Sequence, residues 1–395
     1  MWTMLLLAAL AGQADSDACP IDKGRFDAAW HQACDTAIAA APDAKTKALL
    51  LFRSAFADND VSDNLAARPK LEQAVRLDPA NANAWHELGY TANALGDFAE
   101  GEQAANAEIG LRTDVAAAYQ ERAYARLRLA DFVGTYADRD REVALSPGKA
   151  DPLIGRVEAA MWLGRFDQVR TDLGTAESLG DAAMRRMVAS DHARLVRWST
   201  PSAKGAAACA FLETGEPGPN YIGDCTAAFL AGKTPAERAE ALTNRAIGWL
   251  AIEDQEAAMM DQMIAAAIEP GNADRHANLG FALLSVRHSW AAERAFDRAL
   301  AIKESWAALG GRAMARYNQK NAEGAFADAK RSFEIAPNEI ALTVLGDIAH
   351  DQGDDKSARL YWMGAYHGGA TGDPMLSRLK SIGIDHPEKE PRSGS

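Results

Sequence analysis

The stretch LGDF at residues 95–98 returns with small changes as LADF at 129–132 and as LGRF at 163–166. The phenylalanines that end these stretches are 34 residues apart in both intervals. Gly96 can adopt the left-handed conformation that ends many helices, and Asp97 can cap the helix that follows. The repeated stretch therefore predicts a sharp corner between two helices, built once in each unit of 34 residues.

Large and small residues recur at fixed positions of these units. In the unit that starts at Ala82, position 4 is Trp85 and position 8 is Gly89. Apolar residues at these intervals share one face of a helix, and a small residue lets a second helix approach closely. We therefore expect one helix hairpin in each unit. The other units start at Ala48, Ala116, Ala150, Ala239, Ala273, Trp306 and Ile340.

The stretch WHELGY at residues 85–90, together with the 34-residue period, resembles the tetratricopeptide repeat family. Departures from the family pattern are Thr113, where proline is expected, and Glu108 and Glu142, where a small residue is expected. The resemblance implies an all-α fold, a right-handed superhelical solenoid of antiparallel helix hairpins. About eight repeats in two segments result from this register.

The regular pattern is interrupted in the middle of the chain. Residues 215–220 read GEPGPN, and a Ser-Thr-Pro turn lies at 199–201, so regular packing is not expected there. The predicted organisation is a signal peptide at 1–14, an N-terminal repeat segment at 15–183, an irregular linker with a cap hairpin at 184–238, a C-terminal repeat segment at 239–372 and a C-terminal tail at 373–395.

The N-terminus has the features of an export signal. Its apolar run, residues 4–11, has about half the length that a membrane-spanning helix needs, and small residues follow it in a pattern typical of a cleavage site. No Lys or Arg precedes the run. A buried first helix is the alternative interpretation. The prediction is a periplasmic or secreted protein.

Four cysteines occur as two close pairs, Cys19 with Cys34 and Cys209 with Cys225. Similar spacing within an even number of cysteines favours two local disulfides, each of which staples a pair of short helices that opens one half of the chain. A zinc site usually requires cysteines separated by two residues, which are absent here. Unrelated buried thiols are the remaining alternative.

Composition and motifs argue against several functions. A formal charge of −13 and a pI near 5.2 disfavour nucleic acid and anionic lipid as partners. The signatures of phosphate-binding loops, serine hydrolases and zinc proteases are absent. The SPGK at 146–149 matches the S-x-x-K acylation motif of penicillin-binding enzymes, but it lies in a turn between repeats and the other motifs of that family are missing. We therefore expect no catalysis, no cofactor and no metal. An enzyme that uses residues 205–225 is the less favoured alternative.

The resemblance implies that positions 2, 5, 9 and 12 of each unit face a concave groove. In the first half these residues are aromatic or carry amides, which suits an extended peptide. In the second half they are more apolar, which suits an amphipathic helix; ordinary packing between helices is the alternative. The predicted groove residues are Phe52, Phe56, Asn83, His86, Tyr90, Asn93, Gln120, Tyr124, Ile247, Phe281, Leu284, Met314 and Tyr317.

The sequence thus predicts a scaffold without catalysis that binds a protein or peptide in the bacterial cell envelope, with no nucleic acid and no membrane insertion. A homo-oligomeric structural protein is the alternative. The register also separates two phenylalanines of one unit. Phe281 is predicted to be partly exposed in the groove, whereas Phe296 on the second helix is predicted to be core.

Overall fold

A computed structural model describes residues 19–21, 26–210 and 216–389, and the regular structure in these ranges is entirely helical. The predicted corner is present. Gly96 has a φ of +76°, and the Asp97 carboxylate accepts a hydrogen bond from the backbone N–H of Glu100. Asp131 caps its helix in the same way, while Ala130 takes the left-handed conformation. The all-α fold predicted from the sequence is confirmed.

The described residues form two compact units, divided between Val196 and Arg197. In the first unit, short turns connect consecutive helices that pack side by side as hairpins. Its core is built from Leu51, Leu71 and Leu88 together with small alanines. The helices are α1 Ala28–Ala39, α2 Ala44–Asp60, α3 Asn64–Leu77, α4 Ala82–Ala94, α5 Phe98–Leu111, α6 Ala116–Arg128, α7 Phe132–Leu145, α8 Asp151–Trp162, α9 Phe166–Leu179 and α10 Ala182–Ser199, which runs past the division.

The second unit follows the same plan. Phe296 and Trp362 are central to two of its core clusters. Its helices are α11 Tyr221–Ala231, α12 Pro235–Ala251, α13 Gln255–Ile268, α14 Ala273–Ser285, α15 Ser289–Ile302, α16 Trp306–Asn318, α17 Ala322–Ile335, α18 Glu339–Asp351, α19 Asp355–Gly368 and α20 Asp373–Ser381. Short 3-10 turns occur at Gly205–Ala208 and Pro387–Lys389.

Both predicted disulfides are formed. Cys19 is bonded to Cys34 of α1, and Cys209 is bonded to Cys225 of α11. The sequence predicted that each bond joins two helices, but Cys19 lies in a bend before α1 and Cys209 follows only the 3-10 turn Gly205–Ala208. Gly205 has a φ of +53°, in the left-handed region, so a right-handed helix cannot run through it.

The segments predicted as a linker with a cap hairpin and as a C-terminal tail both contain helices. The predicted linker, 184–238, includes most of α10 and all of α11. The predicted tail begins with α20, whose Met375 and Leu379 are buried against α19. These two residues are four positions apart, so they lie on one face of the helix. The signal peptide predicted at 1–14 lies outside the described residues, and within the described ranges no helix is both long and apolar enough to cross a bilayer.

Candidate functional site

Side chains at repeat positions 6 and 12 lie between the first helices of neighbouring hairpins. Counted from Ala82 as position 1, Glu87 is at position 6, and Asn59 is at position 12 of the preceding unit. The Asn59 amide donates to the Glu87 carboxylate over 2.9 Å. One repeat later, Asn93 donates to the Glu121 carboxylate over 3.0 Å. In the first unit these bonds fill the gaps between α2 and α4 and between α4 and α6.

Two of the predicted groove residues are buried, and their assignment to an open surface is wrong. Phe52 is 0% exposed because its helix turns it into the core, where it joins the cluster around Leu71. Asn93 is buried because its amide is committed to the backbone and side chain of Glu121. Phe52 is therefore a packing residue, and Asn93 forms a bond between helices.

Asn83 and His86 belong to a polar network around the fully buried Glu108. His86 Nδ1 lies 2.9 Å from Glu108 Oε2, and Arg112 donates to both Glu108 and Asn83. Burial opposes the charged imidazolium, but the hydrogen bond and the negative charge of Glu108 outweigh it and raise the pKa of His86. Glu108 thus departs from the family pattern because it holds this network together.

The open residues of the first unit are two tyrosines at the same repeat position. Tyr90 is 45% exposed and Tyr124 is 36% exposed. The Arg128 guanidinium lies 3.8 Å from the centre of the Tyr124 ring, which also meets the edge of Phe98. The flat faces and hydroxyls of such side chains suit contact with a peptide. The remaining predicted residues of this unit, Phe56 and Gln120, are half-buried.

In the second unit, a cavity of about 310 Å³ lies between α12 and α14, with α13 beneath it. Ile247 and Phe281, both predicted from the sequence, line it together. Leu250 adds apolar surface on the same side, and the amides of Gln262 and Asn278 provide polar groups. The lining residues are Thr243, Ala246, Ile247, Leu250, Ala258, Gln262, Asn278, Phe281, Ala282 and Ser285.

At this cavity no hydrogen bond joins repeat position 12 to repeat position 6. In the repeat that starts at Ala239, position 12 is Leu250 on α12. Its side chain offers no hydrogen bond to Asn278, which is at position 6 of the repeat that starts at Ala273 on α14. The gap that asparagine and glutamate fill in the first unit is consequently lined by an apolar side chain and a half-buried amide. Gln262, from α13, accepts only a long contact of 3.5 Å from Thr243.

Phe281 is held in place by Phe296. Their ring centres are 5.1 Å apart in an edge-to-face arrangement, with Phe296 fully buried and Phe281 half-buried. Gly280 and Gly311 allow this packing, because a Cβ atom at either glycine would come within 2.6 Å or 2.2 Å of the Phe296 ring. The exposure of the two phenylalanines follows the predicted register.

The other predicted residues of the second unit lie outside this cavity. Leu284 packs on the Phe296 cluster, and Met314 and Tyr317 pack on the next cluster along the chain. The Tyr317 hydroxyl donates to the Asp351 carboxylate over 2.8 Å. Burial, followed by this hydrogen bond, raises the pKa of Tyr317. The apolar groove predicted for this half is therefore not one continuous lining.

Sequence reasoning missed a recurring ion pair inside the hairpins. Arginine at repeat position 7, on the first helix, forms two hydrogen bonds to aspartate at repeat position 23, on the second helix. Arg245 and Asp261 are essentially unexposed, and Arg245 also donates to Thr226 over 3.0 Å. The spacing of 16 residues was a signal that could have revealed them. The pairs are Arg122 with Asp138, Arg156 with Asp172, Arg245 with Asp261, and Arg312 with Asp328.

These ion pairs have a structural role, because each buried charge is neutralised by its partner in the same hairpin. Burial raises the pKa of Asp261, while the charge of Arg245 opposes that rise. Both groups are committed to each other across one hairpin, so neither faces a cavity. In the described ranges, no cluster of three His, Cys, Asp or Glu side chains has the geometry to hold a metal ion.

Comparison with known proteins agrees with this geometry. The family model described as tetratricopeptide repeat matches residues 70–103, which run from α3 through α4 into α5. The matched residues thus resemble one tetratricopeptide repeat, and helix hairpins of the same kind continue on either side of them. No curated protein sequence matches the chain.

Solved structures that resemble this chain share little sequence with it. A tetratricopeptide repeat protein from Parabacteroides merdae is 16% identical, with 85% of this chain and 98% of that chain covered and a TM-score of 0.32. Yeast Tom70 is 16% identical, with 77% and 72% covered and a TM-score of 0.35. MamA is 17% identical, with 41% and 90% covered and a TM-score of 0.36.

Proposed function

We propose that the protein is a scaffold that binds an extended peptide segment of a partner, with a large apolar side chain inserted between α12 and α14. The observation that carries this proposal is the cavity lined by Ile247, Leu250 and Phe281. Its volume of about 310 Å³ suits one or two side chains better than a folded domain.

The polar groups of this cavity fit the backbone of such a peptide. Asn278 and Gln262 each carry a donor and an acceptor, as a peptide group does. Asn278 forms no hydrogen bond with another described residue, so its amide is open to a ligand. Apolar walls and a few polar groups that fix orientation are the usual composition of a recognition pocket. Tyr90 and Tyr124 offer a second contact area in the first unit.

We further propose that the scaffold works without catalysis in an oxidising compartment, the periplasm or the exterior of a bacterium. The two disulfides support this location, because reducing systems keep cytosolic thiols free. The apolar run at residues 4–11 supports export. Alkylation of protein taken directly from the expressing bacterium tests the oxidising location. The four cysteines should stay unlabelled until a reductant is added. Labelling without reductant would contradict the location.

Peptide selection tests the cavity. Peptides selected from a random library on the wild-type chain should contain a large apolar residue. Leu250→Asp should weaken their binding by about thirtyfold, since about 2 kcal/mol of apolar burial is lost. Leu250 is already 50% exposed, so this substitution should leave the fold intact.

Phe326→Asp is the matched control. Phe326 is 47% exposed on α17 and does not line the cavity. The control variant should bind the selected peptides as the wild type does. If the peptides bind both variants equally well, the recognition site is not the cavity between α12 and α14, and the proposal for this surface fails.

A further inference from the structure

A second cavity in the same unit lies on the other side of α12. It has a volume of about 370 Å³ and is bounded by the 3-10 turn before Cys209, the end of α11 and the start of α12. The disulfide to Cys225 fixes that turn against α11. The lining residues are Ala206, Cys209, Ala228, Ala231, Gly232, Lys233, Glu237, Glu240, Ala241 and Asn244.

The cavity exists because the hairpin that precedes α12 lacks a full first helix. Elsewhere in the unit, a first helix such as Ala273–Ser285 has 13 residues, whereas the turn Gly205–Ala208 has 4. A full helix here would bring its position 12 against position 6 of α12, as Asn59 lies against Glu87 in the first unit. Position 6 of the repeat that starts at Ala239 is Asn244, on α12, so this side chain faces the cavity.

Asn244 is 3% exposed and forms no hydrogen bond with any other described residue. A side-chain amide has two donor hydrogens and an acceptor oxygen, and those of Asn244 remain accessible from the cavity. Because Asn244 lines the cavity, a ligand in the cavity can satisfy the amide. This indicates a built recognition site at the position where other hairpins form a bond between helices.

The charged groups at the cavity favour a cation. Glu240 lies one turn before Asn244 on the same face of α12, and it is exposed and free of any ion pair within the described residues. The Glu237 carboxylate accepts hydrogen bonds from the backbone N–H groups of Lys233 and Thr234, which lower its pKa and keep it ionised. Lys233 is the single cationic side chain of the lining. Two carboxylates therefore face one ammonium group.

The helix ends at the cavity do not change this balance. The C-terminal end of α11 adds a partial negative charge of about half an elementary charge. The N-terminal end of α12 carries the opposite partial charge, but Thr234 and Glu237 cap it. Glu240 thus remains the carboxylate available to a ligand, with the amide of Asn244 behind it.

We propose that this cavity binds the cationic side chain of a protein partner, an arginine or a lysine, through the Glu240 carboxylate and the Asn244 amide. The alanines at 206, 228, 231 and 241 provide apolar contact for the aliphatic part of such a side chain, which arginine and lysine bury while the charged head stays solvated. Arginine suits the site best, because its planar guanidinium can donate to a carboxylate and to an amide oxygen at once.

Small probes test this site separately from the peptide cavity. In the full chain labelled with nitrogen-15, the side-chain amide resonances of Asn244 are assigned by their loss in Asn244→Ala. Addition of N-acetylargininamide should shift them in a saturable manner. N-acetylcitrullinamide, which has nearly the same shape and no charge, should bind about tenfold more weakly or worse, because the charge-assisted hydrogen bond is absent. Capped ends on both probes exclude recognition of a free amino acid.

Glu240→Gln should reduce the affinity for N-acetylargininamide by about tenfold. Glu240 is exposed, so the variant should keep the melting temperature of the wild type. Glu256→Gln, at an exposed carboxylate of α13 outside the cavity, is the control and should bind as the wild type does. Equal binding of the two probes, or unchanged affinity in Glu240→Gln, would overturn the proposal. Leu250→Asp should leave this binding intact, so the two sites fail independently.

Discussion

Phe296→Ala should destabilise the second unit by about 4 kcal/mol. The ring is fully buried between the hairpin formed by α14 and α15 and the next first helix, α16. Its removal leaves a cavity of about 100 Å³, which costs about 2 kcal/mol at about 24 cal/mol per Å³, and the lost transfer free energy adds about 2 kcal/mol. Gly280 and Gly311 meet the ring with backbone only, so few side chains are available to refill the space.

Urea unfolding, followed by tryptophan fluorescence and by circular dichroism, measures this free energy. Phe281→Ala is the comparison: Phe281 is half-buried and loses only an edge contact and part of its apolar burial, so we expect about 1–2 kcal/mol. A loss below about 1 kcal/mol for Phe296→Ala would show that the surroundings collapse onto the deleted ring, against the reasoning from the two glycines. Equal losses for both variants would place Phe281 in the core.

Three further predictions concern polar positions. The pKa of His86 is raised, so its contribution to stability is fully present below the ordinary value of 6.5 and is lost as the pH rises through the folded-state pKa. The difference in unfolding free energy between the wild type and His86→Gln should therefore shrink when urea unfolding is repeated from pH 6 to pH 9. A difference that grows with pH would contradict this prediction. Arg245→Met should cost about 3–5 kcal/mol because it leaves Asp261 buried without its partner, and replacing both with apolar residues should recover most of that loss in the same assay. The double variant Leu250→Asn, Asn278→Glu recreates the bond between positions 12 and 6; it should keep the thermal stability within about 1 kcal/mol of the wild type and abolish peptide binding, and retained binding would refute the assigned role of this gap.

The period of the repeat could be predicted because it depends on local signals. A left-handed residue such as Gly96, a capping residue such as Asp97 and a large apolar residue at a fixed distance determine where each hairpin turns. The register that follows from them also separated Phe281 from Phe296. Local disulfides could be predicted for a similar reason, since both pairs are close in sequence.

Contacts between hairpins could not be predicted in the same way. Phe52 has the repeat position of His86, yet it is buried in the core while His86 bonds to Glu108. The position alone does not show which neighbour a side chain meets. Arg378 illustrates the same limit: it binds Asp347 from a helix that the sequence analysis assigned to the tail. Each contact depends on an element whose existence has to be known first.

Repeat position 12 differs between the two units, and this contrast supports the proposed binding sites. Between α2 and α4, and between α4 and α6, asparagine at repeat position 12 pairs with glutamate at repeat position 6, so the protein itself closes the gap. In the second unit, Leu250 replaces that asparagine beside Asn278, and a missing helix leaves Asn244 without the neighbour that would occupy its side. The Asn244 side chain is buried and the Asn278 side chain is half-buried, and neither amide forms a hydrogen bond with another described residue. A partner that spans α12 can satisfy both amides at once, since one helix of about 10 Å in diameter separates them and about three residues of extended chain cover that distance.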